Sequence, residues 1–201
     1  MALFLVDGPS QEPISLDDAK DHCNVDVGDD DALITGLIVA ARETVEAHTR
    51  RKLVTQTWDL TLDTFADCDY YRDGAIWLPF PPVSSITSIT YLDTSGDSQT
   101  WDSSLYLTDL PTGPTARRAR ITPAYGIYWP STYSVMNAAT IRFVCGYGTE
   151  PEDVPASLLH AIKMLVSHWY RIREPVSVGA GNTTAVIPVT IDHLLWPFRA
   201  Y

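Results

Sequence analysis

The chain has 201 residues, 45% of them hydrophobic and 19% charged, with a formal net charge of −11. That length and composition suffice for one good core, or a core with a small satellite, and exclude a disordered polymer. Such an acidic balance sets the surface as a whole against tight nucleic-acid binding, because neutralising phosphates takes concentrated lysine and arginine.

Residues up to Gln11 read as a loose leader. Met1 to Val6 is apolar but runs at once into Asp7, Gly8 and Pro9, without the basic start of an export signal. No apolar run approaches a bilayer-spanning length, so the chain reads as soluble and unexported, with no membrane partner. Cys23, Cys68 and Cys145 are an odd number without CxxC spacing, which indicates buried thiols rather than a disulfide framework or zinc knuckle. In that setting the Asn182-Thr183-Thr184 sequon means little. Met1 to Asp31 holds nine Asp or Glu against Lys20 alone, either a solvated face or a docking surface for a basic partner.

Ser15 caps a short helix from Leu16 to about Cys23, with Asp18 three residues on as its capping-box partner. A second helix spans Asp29 to Lys52: Leu33, Ile34, Leu37, Ile38, Ala41 and Val45 form its apolar stripe, behind three N-terminal aspartates. From Leu53 the hydrophobic period changes to two. Trp58, Leu60 and Leu62 alternate with Thr57, Asp59 and Thr61 as in a half-buried strand. Further short strands are expected at Ala75–Leu78, Val83–Leu92, Gln99–Trp101, Tyr106–Thr108, Arg118–Thr122 and Ala139–Cys145, with a turn at Asp93 to Asp97. Such strands make a small antiparallel barrel or sandwich.

The longest helical period lies in Asp153 to Glu174, where Leu158, Leu159, Ile162, Leu165, Val166 and Trp169 form one stripe. Pro155 suits its first turn, Arg171 and Arg173 its last, and Pro175 stops it. The two long stripes are expected to pack together, with Leu37, Ala41 and Val45 against Leu158, Ile162, Leu165 and Trp169. The fold class is therefore α+β: a helical bundle body (13–52 plus 150–175), an inserted β domain (53–149) and an extended C-terminal arm (176–201). Leu194 to Arg199 is apolar without either period, so the arm reads as mobile in the free subunit and able to add a strand to a partner's sheet.

Catalytic templates find no match: there is no GxSxG elbow, P-loop, HExxH or GxGxxG. His160 and His168 stand roughly 80° apart around a helix and two turns along it, a strained pair of metal ligands. His22 beside Cys23 is no better placed. No cofactor and no metal is called for. Arg117, Arg118 and Arg120 form a small basic cluster that suits an acidic partner, nucleic acid or a plain solvated loop. The aromatics Tyr70, Tyr71, Trp77, Trp101, Tyr125, Tyr128 and Trp129 read as core and rim of a small sheet, with sugar stacking as the alternative. On its residues alone the chain is an interaction module rather than an enzyme.

Several stretches together resemble the bacteriophage head–tail connector (adaptor) family, in its long variety with a β insertion between two helices. They are Pro13-Ile14-Ser15-Leu16, Ile34 to Leu53 ending in Thr49-Arg50-Arg51-Lys52, Thr57-Trp58-Asp59-Leu60, and Leu78-Pro79-Phe80-Pro81-Pro82-Val83 followed by Ile86 to Asp93. Trp129-Pro130, Gly146-Tyr147-Gly148, Val154-Pro155, His168-Trp169-Tyr170 with Arg173-Glu174, and Leu194 to Arg199 continue in the same order. The Asp29-Asp30-Asp31 run is more acidic than is usual there.

The resemblance implies a structural virion protein, assembled in the host cytoplasm, that forms a twelvefold ring beneath the portal protein. The ring would extend the DNA channel, pass DNA without specific binding, and dock a stopper or other tail-completion protein. A gene transfer agent or prophage would use the same part. Pro188, Leu194, Leu195, Trp196, Pro197, Phe198 and Arg199 become the expected portal-binding arm. The alternatives are a stopper or other tail-completion protein, or, from another class, a sugar-binding or hydrolytic domain.

Overall fold

The computed structural model describes residues 1–65, 74–172 and 189–200. Cys68, Tyr70, Tyr71, Arg173, Glu174, Pro175, residues 176–188 with Pro188 and the sequon, and Tyr201 lie outside them.

Four α-helices are described: α1 (Leu16–Cys23), α2 (Asp31–Thr49), α3 (Ala156–Arg171) and α4 (Val189–Leu195). Helix α1 starts where the Ser15 hydroxyl accepts the Asp18 N–H at 3.0 Å, which satisfies one orphan donor of the first turn. It stops at Asn24, whose left-handed backbone (φ 57°) ends the hydrogen-bond ladder. Arg50 (φ 55°) ends α2 in the same way, three residues short of the break in period at Leu53. Pro155 caps α3 from outside the first turn, after a 3-10 turn at Pro151–Asp153.

The apolar faces of these helices meet in one cluster. Ile34, Ile38, Ala41 and Val45 of α2 and Leu158, Ile162, Leu165 and Val166 of α3 are buried there, with Leu37 and Trp169 half-buried at its margin. The cluster also contains Ile191 and Leu195 of α4 and Phe198 from the 3-10 turn Trp196–Phe198 that follows.

The strands are β1 (Ala2–Asp7), β2 (Gln56–Leu62), β3 (Ile76–Trp77), β4 (Val83–Leu92), β5 (Ser98–Thr100), β6 (Tyr106–Asp109), β7 (Arg120–Pro123) and β8 (Ala139–Cys145). They form a five-stranded sheet in the order β1-β2-β8-β4-β5 and a three-stranded sheet in the order β3-β7-β6, with every pair of strands antiparallel. Period two governs the central strand: Ala139, Ile141, Phe143 and Cys145 of β8 are buried, and the residues between them are half-buried. On the other face Arg142 grips Asp59 of β2 through two hydrogen bonds of 2.8 Å, a bidentate cross-strand pair. Leu60, Ile89, Ile141 and Phe143 share a second apolar cluster with Ile76 and Ile121 of the smaller sheet. Phe65 stacks on Trp129 with ring centroids 4.9 Å apart, and Trp101 adjoins both.

Three expectations are corrected. The leader is strand β1, which pairs with β2 from Ala2↔Thr61 to Asp7↔Thr57, because its apolar run can complete the edge of a sheet whose other strands lie far along the chain. The β region is not a closed barrel: β1 and β5 remain edges of the larger sheet, and β5, with three residues, offers too short a ladder to close it. The C-terminal segment is not extended over its described part. Val189–Leu195 is helical, since its apolar residues Ile191 and Leu195 are four apart and both reach the helical cluster.

Candidate interaction site

The carboxyl end of α2 is where the two clusters and the C-terminal segment meet. Glu46, 3% exposed, accepts from Lys52 Nζ at 2.8 Å, from the Leu53 backbone N–H at 3.1 Å and from Gln56 Nε2 at 3.1 Å, with Arg42 Nη1 at 3.5 Å. One buried carboxylate thereby ties the last turn of α2 to the start of β2. Opposite it, Gly146 (φ 125°) admits the close approach of the 54–55 backbone, where a Cβ would lie 2.7 Å from main-chain atoms. Lys52 also lies over the rings of Trp58 and Phe80, at 4.9 and 5.0 Å.

The C-terminal segment docks on the same corner. Ala200 N–H donates to Thr49 O at 2.9 Å, and Arg51 Nε donates to Phe198 O. Asp192 of α4 takes His48 Nε2 at 2.8 Å and Arg199 Nη2 at 3.0 Å, and the Arg199 guanidinium sits 4.9 Å from the Trp196 ring centroid. Of the expected arm residues, Leu195 and Phe198 are buried in the chain's own core and Leu194 and Arg199 are half-buried, whereas Trp196 (57% exposed) and Pro197 face outward. Pro188 lies outside the described residues.

Beside this corner is a cavity of about 590 Å³ whose lining brings together Arg51, Arg117, Arg118, Arg120 and Arg199 with Trp77. The Arg117 to Arg120 cluster was visible in the sequence, but its convergence with Arg51 and Arg199 was not. Arg51 is 2% exposed; burial pulls its guanidinium below the ordinary range, and neighbouring Tyr147 partly offsets that. Arg118 donates to the carbonyls of Leu78 and Trp77 at 3.3 and 3.2 Å, and Arg120 pairs with Asp109 at 3.0 Å.

A second surface that sequence reasoning missed is the loop between β7 and β8, where Tyr125, Tyr128 and Met136 are 80% exposed or more. Tyr125 and Tyr128 thus leave the core, while Trp101 is buried and Trp77 and Trp129 are half-buried. Burial raises the Cys145 thiol to about 12, and the Cys23 thiol also lies above its usual value, which leaves both inert. Among the described residues no group of His, Cys, Asp and Glu could hold a metal ion, and no helix is long and apolar enough to cross a membrane.

Comparison with known proteins places this arrangement. Residues 13–99 match the family of phage gp6-like head-tail connector proteins. No curated protein matches by sequence. Among solved structures, a chain of the virion of a native gene transfer agent particle is similar at a TM-score of 0.79 and 20% identity, covering 100% of this chain and 96% of that one. A chain from the neck of the native particle, computed with C12 symmetry, gives 0.75 and 21% with the same coverage, and one from the neck of the empty particle, computed with C6 symmetry, gives 0.76 and 20%. Residues 13–99 thus carry the sequence signature of the phage gp6-like head-tail connector proteins, and the chain shares the fold of these particle and neck chains over its full length.

Proposed function

We propose that the protein is a structural adaptor of a virion neck, forming a ring beneath the portal that extends the DNA channel and docks the next tail-completion protein. The observation that carries this reading is the full-length likeness to a chain in a neck of twelvefold symmetry, joined to the family signature. A twelvefold ring follows as the expected assembly of this chain, and its role is architectural rather than catalytic. Assembly takes place in the host cytoplasm and the product is part of the virion.

Within that reading, residues 13–52 and 150–175 are the helical body, 53–149 an inserted β domain, and 176–201 the portal-facing segment. The two separate apolar clusters support the division of the body from the β domain, and Ile191, Leu195 and Phe198 join the C-terminal segment to the body. The division of labour in the C-terminal segment follows from burial: Leu195 and Phe198 anchor it to its own subunit, and Trp196 and Pro197, with half-buried Leu194 and Arg199, are offered to the portal. Twelve such contacts acting together make a tight joint from a modest single one. Native mass spectrometry and negative-stain microscopy of the chain mixed with its portal protein test the reading. A closed ring is expected, and a chain that stays monomeric with the portal present overturns it.

A further inference from the structure

Two buried side-chain donors have no hydrogen-bond partner among the described residues, Arg51 Nη1 and Trp77 Nε1, and both residues line the arginine cavity. Buried donors are ordinarily satisfied, and a buried guanidinium is costly without a counter-charge. Here the residues that carry both orphans line one cavity of about 590 Å³ together with Arg117, Arg118, Arg120 and Arg199, the last paired with Asp192 at 3.0 Å, in a protein whose net charge is −11. The carboxylate in the lining, Asp109, is already held by Arg120 at 3.0 Å. Arg51 spends its other two nitrogens on neutral carbonyls, those of Phe198 and Ala116, and its remaining polar neighbour is the Tyr147 hydroxyl, so its charge is oriented but not neutralised by them.

We propose that this cavity is a binding site for a single small oxyanion, a phosphate or a carboxylate group, taken between Arg51, Arg117 and the Trp77 N–H. Guanidinium groups suit such a group because their planar donors match two oxygens at once. Duplex DNA is the poorer occupant: it demands an extended run of cations, whereas these arginines surround one spot on an otherwise acidic surface. The cavity wall is made by the end of α2, the loop before β7, and Arg199 with Ala200. A bound oxyanion therefore fastens the C-terminal segment to the β region, and this holds whether or not the subunit is in a ring.

The test is calorimetric titration of the full chain with sodium phosphate, and separately with an acetylated triaspartate peptide, against sodium chloride at equal ionic strength. Saturable one-to-one binding and a raised melting temperature are expected. Arg117→Ala removes an exposed rim donor without touching either core, and is expected to weaken binding about tenfold or more. Trp77→Phe, which keeps the ring and deletes the N–H, is expected to weaken it as well. Tighter phosphate binding identifies a phosphate ligand, and tighter peptide binding identifies an acidic chain. No saturable binding of either probe, or an unchanged affinity in folded Arg117→Ala, overturns the proposal.

Discussion

The Glu46 carboxylate accepts the backbone N–H of Leu53 at 3.1 Å, and this bond crosses from the last turn of α2 to the segment that opens the β region. The same carboxylate satisfies Gln56 and Lys52. Glu46→Ala leaves a backbone donor, an amide and Lys52 without this acceptor, while Arg42 keeps Glu12 at 2.8 Å, so a loss of about 3 kcal/mol is expected, the lower end of the range for breaking a buried ion pair on one side. Glu46→Gln keeps an acceptor and is expected to lose less. Urea denaturation of the two variants measures the difference; equal stability of Glu46→Ala and the parent would show that the corner is not held this way.

Leu195 is fully buried and Ile191 is 1% exposed, so the C-terminal helix is part of the folded subunit. Leu195→Ala is expected to cost about 2 to 5 kcal/mol, the range for a buried leucine replaced by alanine. Removing residues 189–201 uncovers Ile191's and Leu195's sites on the helical cluster and is expected to lower the melting temperature further. A truncated chain that melts at the parental temperature would falsify the packing.

The parts of this fold that were legible in the sequence are those in which period and partner are both local or both strong. The stripes of α2 and α3 repeat over several turns, and β8 alternates through Ala139, Ile141, Phe143 and Cys145. Strand β1 was hidden because Ala2 to Val6 has no polar alternation, and what makes it a strand is β2, whose paired residues lie 50 to 59 positions further on. Helix α4 was hidden because seven residues are two turns, too few for a period to emerge. The cavity was invisible for another reason: Arg51, Trp77, Arg117 and Arg199 come from four separate stretches, and only tertiary packing brings them to one place.

His22 packs edge-on against His160 with ring centroids 6.0 Å apart, and Lys163 and Arg171 of the same helix add positive charge. Burial first, and then these three neighbours, hold its imidazole below the ordinary value of 6.5. With the folded value depressed, the unfolded chain binds the proton more readily between the two values, so stability falls as pH drops below about 6.5 and levels off beneath the folded value. Asp18, lowered by Lys163 and Ser15, acts in a separate window, losing its contribution only as pH falls below the ordinary carboxylate range. Melting temperatures across pH 5 to 8 are expected to show a decline on the acid side of neutrality that His22→Gln flattens. An identical profile in the variant would assign the decline to other groups.

On the proposed portal contact, Trp196 is the residue whose substitution separates folding from assembly. Its ring is 57% exposed and is covered from one side by the Arg199 guanidinium at 4.9 Å, while its neighbours Leu195 and Phe198 carry the packing. An exposed substitution away from the core changes stability by no more than about 0.5 kcal/mol, so Trp196→Ala is expected to melt close to the parent. At the proposed portal contact, an exposed aromatic beside an arginine is the kind of residue that dominates binding, with about 2 kcal/mol or more lost on truncation. That is about thirtyfold in affinity per subunit. Attachment of the variant to portal rings, measured by co-sedimentation at graded subunit concentration, is expected to require correspondingly more protein. A variant that decorates portals at the parental concentration would remove Trp196 from the portal contact, and a variant that fails to fold would place it in the core instead.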